Sequence, residues 1–186
     1  MEFVAGQSYL LQADSGKGKS SLFAYIYGYR DDFEGEILFD GRRTPLVGSP
    51  EWDTIRQCRI GILFQDLKIF PELTAIENIE LKNRLQAYKS EAEIDDMLRR
   101  LEISDKRHQP CGKLSWGQQQ RVAIIRALCQ PFDFLLLDEP ISHIDDRMAR
   151  IVAELIAEEV ASRQAAVVVS SIGKELPITY DNILNL

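Results

Sequence analysis

Apolar positions recur along this chain with two alternating periods. Short continuous runs at residues 8–12, 59–65, 132–140, 165–169 and 182–186 read as strands buried in a sheet. Between them, apolar residues three and four apart mark helices: Leu22, Ile26 and Tyr29 over 19–29, Val122, Ile125 and Leu128 after 115, and Met148, Ile151, Val152, Leu155 and Ile156 after 145. Strand, helix and strand in alternation predict an α/β fold with a mainly parallel sheet flanked by helices. Two segments break the alternation. Residues 36–42 read as a short strand entering an Asp40-Gly41 turn, which predicts an antiparallel hairpin appended to the main sheet. Residues 66–112 read as helices, with Thr74/Glu77 and Ser90/Glu93 spaced as capping boxes, and predict an inserted helical subdomain. No repeat, low-complexity tract or linker divides residues 1–186, so a single domain is expected.

The junctions carry the candidate chemistry. After the first strand come Ala13-Asp14-Ser15-Gly16-Lys17-Gly18-Lys19-Ser20-Ser21, leading straight into a helix. Glycines allow a tight curl that aims amide N–H groups inward, and the helix adds its positive pole: a seat for a polyanion. Lys19 is placed to reach β- and γ-phosphates, and the Ser20 hydroxyl to bind a Mg²⁺ that bridges them. Ala13 stands where this motif usually has its first glycine, and the alternative is an ordinary Gly/Ser turn. Gln65 follows a strand end, either at a ligand crevice or on the surface. Ser115 and Gln118 form a third capping box; with the Gly117 amide they offer either a second phosphate site or only a well-capped helix. The strand at 132–140 ends in Asp138 and Glu139: Asp138 either caps the next turn or is placed as an outer ligand of Mg²⁺, and Glu139 is then placed to orient or deprotonate a water. His143 and His108 have no metal-ligand companions nearby and read as structural and solvated, respectively.

Composition narrows this further. The chain has 186 residues, 45% of them hydrophobic, and a net charge of −7 from 29 acidic and 22 basic residues, which argues against a broad nucleic-acid footprint. Three scattered cysteines, Cys58, Cys111 and Cys129, suggest neither a disulfide framework nor a zinc site and fit a reducing compartment. Neither a secretory leader nor a membrane span is expected from the apolar runs.

The order phosphate loop, Gln65, helical insertion, LSWGQQQR, LLLDEP and SHID resembles the nucleotide-binding subunit of ATP-binding-cassette transporters over nearly the whole chain. FQDLKIFPELTAIENI is similar to the small bacterial cassettes of lipoprotein-releasing, macrolide-export and cell-division type. The resemblance implies the P-loop nucleoside triphosphate hydrolase fold, ATP and Mg²⁺ as ligands, and an ATPase that works as a head-to-tail dimer or paired cassette on a membrane permease. Such a subunit sits at the cytoplasmic face of the inner membrane. Residue by residue, it implies that Asp14, Ser15, Gly16, Lys17, Gly18, Lys19, Ser20 and Ser21 hold the triphosphate. Ser20 and Gln65 ligate Mg²⁺, Asp138 holds the ion through water, and Glu139 is the base. Ser115, Gly117 and Gln118 contact the γ-phosphate bound by the other cassette, Asp145 belongs to the loop joining the two sites, and the insertion meets the permease.

Three departures from the family pattern bear on activity: Ala13, the lack of an upstream aromatic residue to stack on adenine in a chain that starts a dozen residues before Ala13, and Ser171 where the pattern has a histidine. They imply slow hydrolysis. The rival readings are a degenerate regulatory or structural cassette with little turnover, and a soluble cassette protein acting on ribosomes, DNA ends or iron–sulfur assembly.

Overall fold

A computed structural model describes residues 1–12 and 18–186. Five parallel strands form the central sheet in the order β4-β5-β6-β1-β7: β1 Ser8–Gln12, β4 Ile60–Leu63, β5 Phe134–Asp138, β6 Ala166–Ser171 and β7 Asn182–Asn185. Because successive side chains on a strand point to opposite faces, each central strand feeds two cores. Leu10, Leu135, Leu137, Val167 and Val169 face one, with α3 (Ala75–Gln86), α4 (Glu91–Arg100), α5 (Trp116–Leu128) and α6 (Asp146–Arg163) contributing to it. Tyr9, Leu11, Leu136, Ala166 and Val168 face the other, against Phe23 and Tyr27 of the α1 (Lys19–Ile26) segment and Trp52 of α2 (Glu51–Cys58). Burial on both faces is why these strands read as unbroken apolar runs.

The segment 66–112 forms α3 and α4 followed by two short 3-10 turns, and both expected capping boxes form. Asn78 fastens it: its amide group donates to the carbonyls of Phe70 and Thr74 at 3.0 and 3.1 Å and accepts from the Phe70 amide at 3.0 Å, satisfying a fully buried side chain.

The structure alters the expected picture at three places. The hairpin forms, with positive φ at both Asp40 (52°) and Gly41 (72°) as a two-residue turn of this hand requires. However, β2 (Leu38–Phe39) and β3 (Arg42–Arg43) make a separate two-stranded sheet rather than extending the main one. An Arg59–Asp40 ion pair of 2.9 Å and the Phe39–Phe134 ring contact tether it. Helix α1 stops at Ile26 and buries Phe23 followed by Tyr27, whereas Tyr29 is exposed. The Trp52 indole fills the space beside Gly28, so the chain turns away before a third helical turn.

Helix α2 lies between the hairpin and β4, where no element was expected. Its sequence, EWDTIRQC, has one apolar pair and no side-chain N-cap, so periodicity could not show it. Tertiary contacts hold it: buried Trp52 donates from Nε1 to the Pro45 carbonyl at 3.0 Å, and Arg56 donates to the carbonyls of Tyr27 and Gly28. Cys111 and Cys129 are buried and Cys58 is half-buried; all three are free thiols.

Candidate functional site

Parallel strands end together, so residues at their C-terminal ends share one edge of the sheet, and that edge is where open α/β sheets bind ligands. The register brings Asp138 beside Ser170, and Gln12 beside Ser171. Lys19 opens α1 and is buried, Ser20 follows it on the exposed side, and Gly18 caps the helix. Ser21 is half-buried, and its hydroxyl accepts from Arg30 at 3.2 Å. Of the phosphate-loop candidates, Asp14, Ser15, Gly16 and Lys17 lie outside the described residues, as does Ala13.

Glu139 is tightly held at this edge. Its backbone takes a left-handed conformation, φ 51°, unusual for a residue with a side chain and the kind of strain that collects at reactive positions. Four hydrogen bonds hold it: its amide donates to the Ser170 carbonyl at 3.1 Å, its Oε1 accepts from Gln65 Nε2 at 3.0 Å, and its carbonyl accepts from Gln120 Nε2 at 3.0 Å and from the Ser142 amide at 3.4 Å. Burial raises the pKa of the Glu139 carboxyl, the Asp138 charge raises it further, and Lys19 and His143 pull it back. Such a carboxylate is tuned toward accepting a proton. Asp138 is buried and accepts a hydrogen bond from the Ser170 hydroxyl.

Ser171 is buried at the end of β6, and its hydroxyl donates to the Lys174 carbonyl at 2.7 Å. The Lys174 amine is turned to the start of α6, donating to the Ile144 carbonyl and pairing with Asp146 at 2.9 Å.

At the head of α5, Ser115 and Gln118 close on each other: the Ser115 amide donates to Gln118 Oε1 at 2.9 Å, and the Gln118 amide donates to Ser115 Oγ at 3.3 Å. Gly117 lies so close to the next segment that a Cβ there would be 2.7 Å from the His143 carbonyl. Trp116 and His143 are both exposed and meet edge to face. Asp145 is the N-cap of α6, accepting from the Met148 amide at 3.0 Å. His108 is exposed.

Two participants were not visible in the sequence. Gln120 is 1% exposed, and Ser170 supports Asp138. Gln120 had a signal: it shares a helical stripe with buried Ala123, Ile124 and Ala127, and a polar residue on an apolar stripe must have found partners.

Comparison with known proteins decides what this edge belongs to. A family profile described as ABC transporter matches residues 1–142. The chain belongs to the ABC transporter family. It is an ATP-binding subunit of that kind, an ATPase cassette. It is 33% identical over 186 residues to the lipoprotein-releasing system ATP-binding protein LolD 2 of Rhodopseudomonas palustris, covering 98% of this chain and 80% of that one. The ABC transporter ATP-binding protein YtrE of Bacillus subtilis is 32% identical over 161 residues, covering 85% and 70%. Among solved structures, the dimeric ATP-binding cassette MJ0796 in a post-hydrolysis state with ADP and Pi superposes with a TM-score of 0.82 at 29% identity, covering 92% of this chain and 77% of that one. The parallel sheet, flanking helices and separate hairpin are thus those of a P-loop cassette. No helix among the described residues is long and apolar enough to cross a membrane.

Proposed function

We propose that this cassette binds and slowly hydrolyses Mg-ATP in a head-to-tail dimer that drives a membrane permease from the cytoplasmic face of the inner membrane. The observation that carries this reading is the cluster at the sheet edge: a buried Asp138, a strained and proton-accepting Glu139, Gln65 bonded to it, and buried Lys19 within its electrostatic reach. Lys19 and the amides around it neutralise the triphosphate. Gln65 holds the Glu139 carboxylate in one orientation, and Glu139 takes the proton of the attacking water.

The donor set fits a small, hard dication, since the Ser20 hydroxyl, the Gln65 amide oxygen and the Asp138 carboxylate all offer oxygen. Mg²⁺ bound there would neutralise charge on the β- and γ-phosphates. The Ser115, Gly117 and Gln118 segment faces the nucleotide held by the other cassette, and Asp145 lies in the loop between sites. The insertion at 66–112 meets the permease, and residues 1–186 act as one nucleotide-binding domain. No nucleic acid is engaged.

Slow turnover follows from Ser171: its proton is committed to the Lys174 carbonyl, and the Lys174 amine to the start of α6, so neither offers a charged donor to developing negative charge. That same observation favours the second reading, a regulatory cassette that binds ATP without useful turnover. Glu139→Gln separates the two: it should slow hydrolysis to a small residual rate and accumulate a dimer with Mg-ATP in light scattering. Turnover equal to the parent's in Glu139→Gln would refute Glu139 as the base, and a parent without any turnover would establish the regulatory reading.

A further inference from the structure

We infer that Gln120 is a positioning residue that ties the phosphate-facing head of α5 to the general base of its own molecule. The inference rests on the assignment of Glu139 as that base.

The Gln120 amide spans two points of the connection between β5 and α6. Its Nε2 donates to the Glu139 carbonyl at 3.0 Å and lies 3.4 Å from Ser142 Oγ, while its Oε1 accepts from the His143 amide at 3.3 Å. Gln120 is 1% exposed, so water does not compete for its own amide atoms and these bonds are what satisfy them. The Glu139 carbonyl belongs to the residue whose φ is 51°, a conformation that persists only when its surroundings over-determine it. Three bonds to its backbone do so: the Ser170 carbonyl of β6 accepts from its amide, the Ser142 amide donates locally to its carbonyl at 3.4 Å, and Gln120 brings the shorter bond to that carbonyl from α5. The same segment is pressed against the helix start at Gly117, where no side chain intervenes. The head of α5 and the backbone of Glu139 are therefore one rigid unit. A shift of α5 as its first turn engages a nucleotide reaches Glu139 through Gln120, not through the Glu139 side chain, which Gln65 holds separately.

A group that only orients another should affect turnover more than binding. Gln120→Met keeps the volume and removes both polar atoms, and Gln120→Glu keeps the shape and the acceptor while removing the donor to Glu139. Steady-state ATPase rates and Mg-ATP affinities would be measured for both, in the parent and in Glu139→Gln. In the parent background kcat should fall roughly ten- to a hundredfold with KM and nucleotide affinity within about twofold. In Glu139→Gln the same substitutions should change residual turnover less than about twofold, because nothing remains to be oriented. A kcat within twofold of the parent's in either folded variant, or an equal loss in both backgrounds, would overturn the inference. So would a loss of affinity matching the loss of kcat, the signature of a merely structural glutamine. If Glu139→Gln itself turns over like the parent, the assignment of the base fails first, and the role of Gln120 falls with it.

Discussion

Lys82 offers a test of the electrostatics that does not depend on nucleotide. It projects from α3 toward Tyr27, its amine donating to the phenol Oη at 3.3 Å, with Arg126 and Arg56 as the charges that bear on it. Burial, and then these two cations, push its pKa down from 10.5 to about 8. The folded state therefore binds fewer protons than the unfolded chain between about pH 8 and 10.5, so stability rises as pH climbs through that window, and the penalty is fully present at pH 7. A displacement of about 2.5 pH units corresponds to about 3 kcal/mol at about 1.4 kcal/mol each. Solvent reaches a half-buried amine, and loss of the hydrogen bond to Tyr27 costs about 0.5–1 kcal/mol, so Lys82→Met should stabilise the fold by about 1–2 kcal/mol at pH 7. Methionine keeps the stem and its packing. Urea unfolding at pH 7 and pH 10 measures the effect, and the gain should largely vanish at pH 10. Tyr27 stays neutral there because its own pKa is pushed up to about 12. A Lys82→Met protein less stable than the parent at pH 7, or a gain unchanged at pH 10, would refute the reasoning.

Ser171→His should raise ATP turnover at least several-fold with little change in affinity, since one well-placed donor to developing charge is worth about 10²–10³ in rate; an unchanged rate in a folded protein would exclude a missing donor there. Gly117→Ala should destabilise the fold, because the new Cβ meets the His143 carbonyl at 2.7 Å, and thermal melting would show it; an unshifted midpoint would mean that α5 and the 139–145 loop move apart freely. The Glu93 carboxyl, held down to about 2 chiefly by the Ser90 amide, stabilises α4 above its unfolded value, and that contribution is lost as pH falls toward 2. Ser90→Ala should cost about 1 kcal/mol at pH 7 by denaturant titration, and an indifferent variant would count against the cap.

Much of this arrangement was legible because local and global signals agreed. Strands buried on both faces betray themselves as apolar runs, and all three capping boxes formed where their spacing put them. What escaped was whatever depended on partners distant in sequence. Helix α2 exists because Trp52 and Arg56 reach α1 and the turn after it, and Tyr29 lost its inward place because Trp52 takes the space beside Gly28. Ser170 and Gln120 earn their positions only once β5, β6 and α5 are side by side. Ser171 was legible as a departure, whereas the partner that takes up its proton was not.

The first turns of the helices sort by charge in a way that separates supports from seats. The capping boxes of α3 and α4 close with Glu77 and Glu93, α2 begins with Glu51 and Asp53, and α6 with Asp146, so a carboxylate already cancels the positive pole of each. Among the described residues, only α1 and α5 start without an acid; the α5 box closes on the neutral amide of Gln118. In a chain of net charge −7, these are the two helix poles left unquenched, each equivalent to about half a positive charge. They are also the two helix starts beside which phosphate is expected. An acidic molecule can thus attract a polyanion by where it withholds carboxylates, with no need for a basic surface.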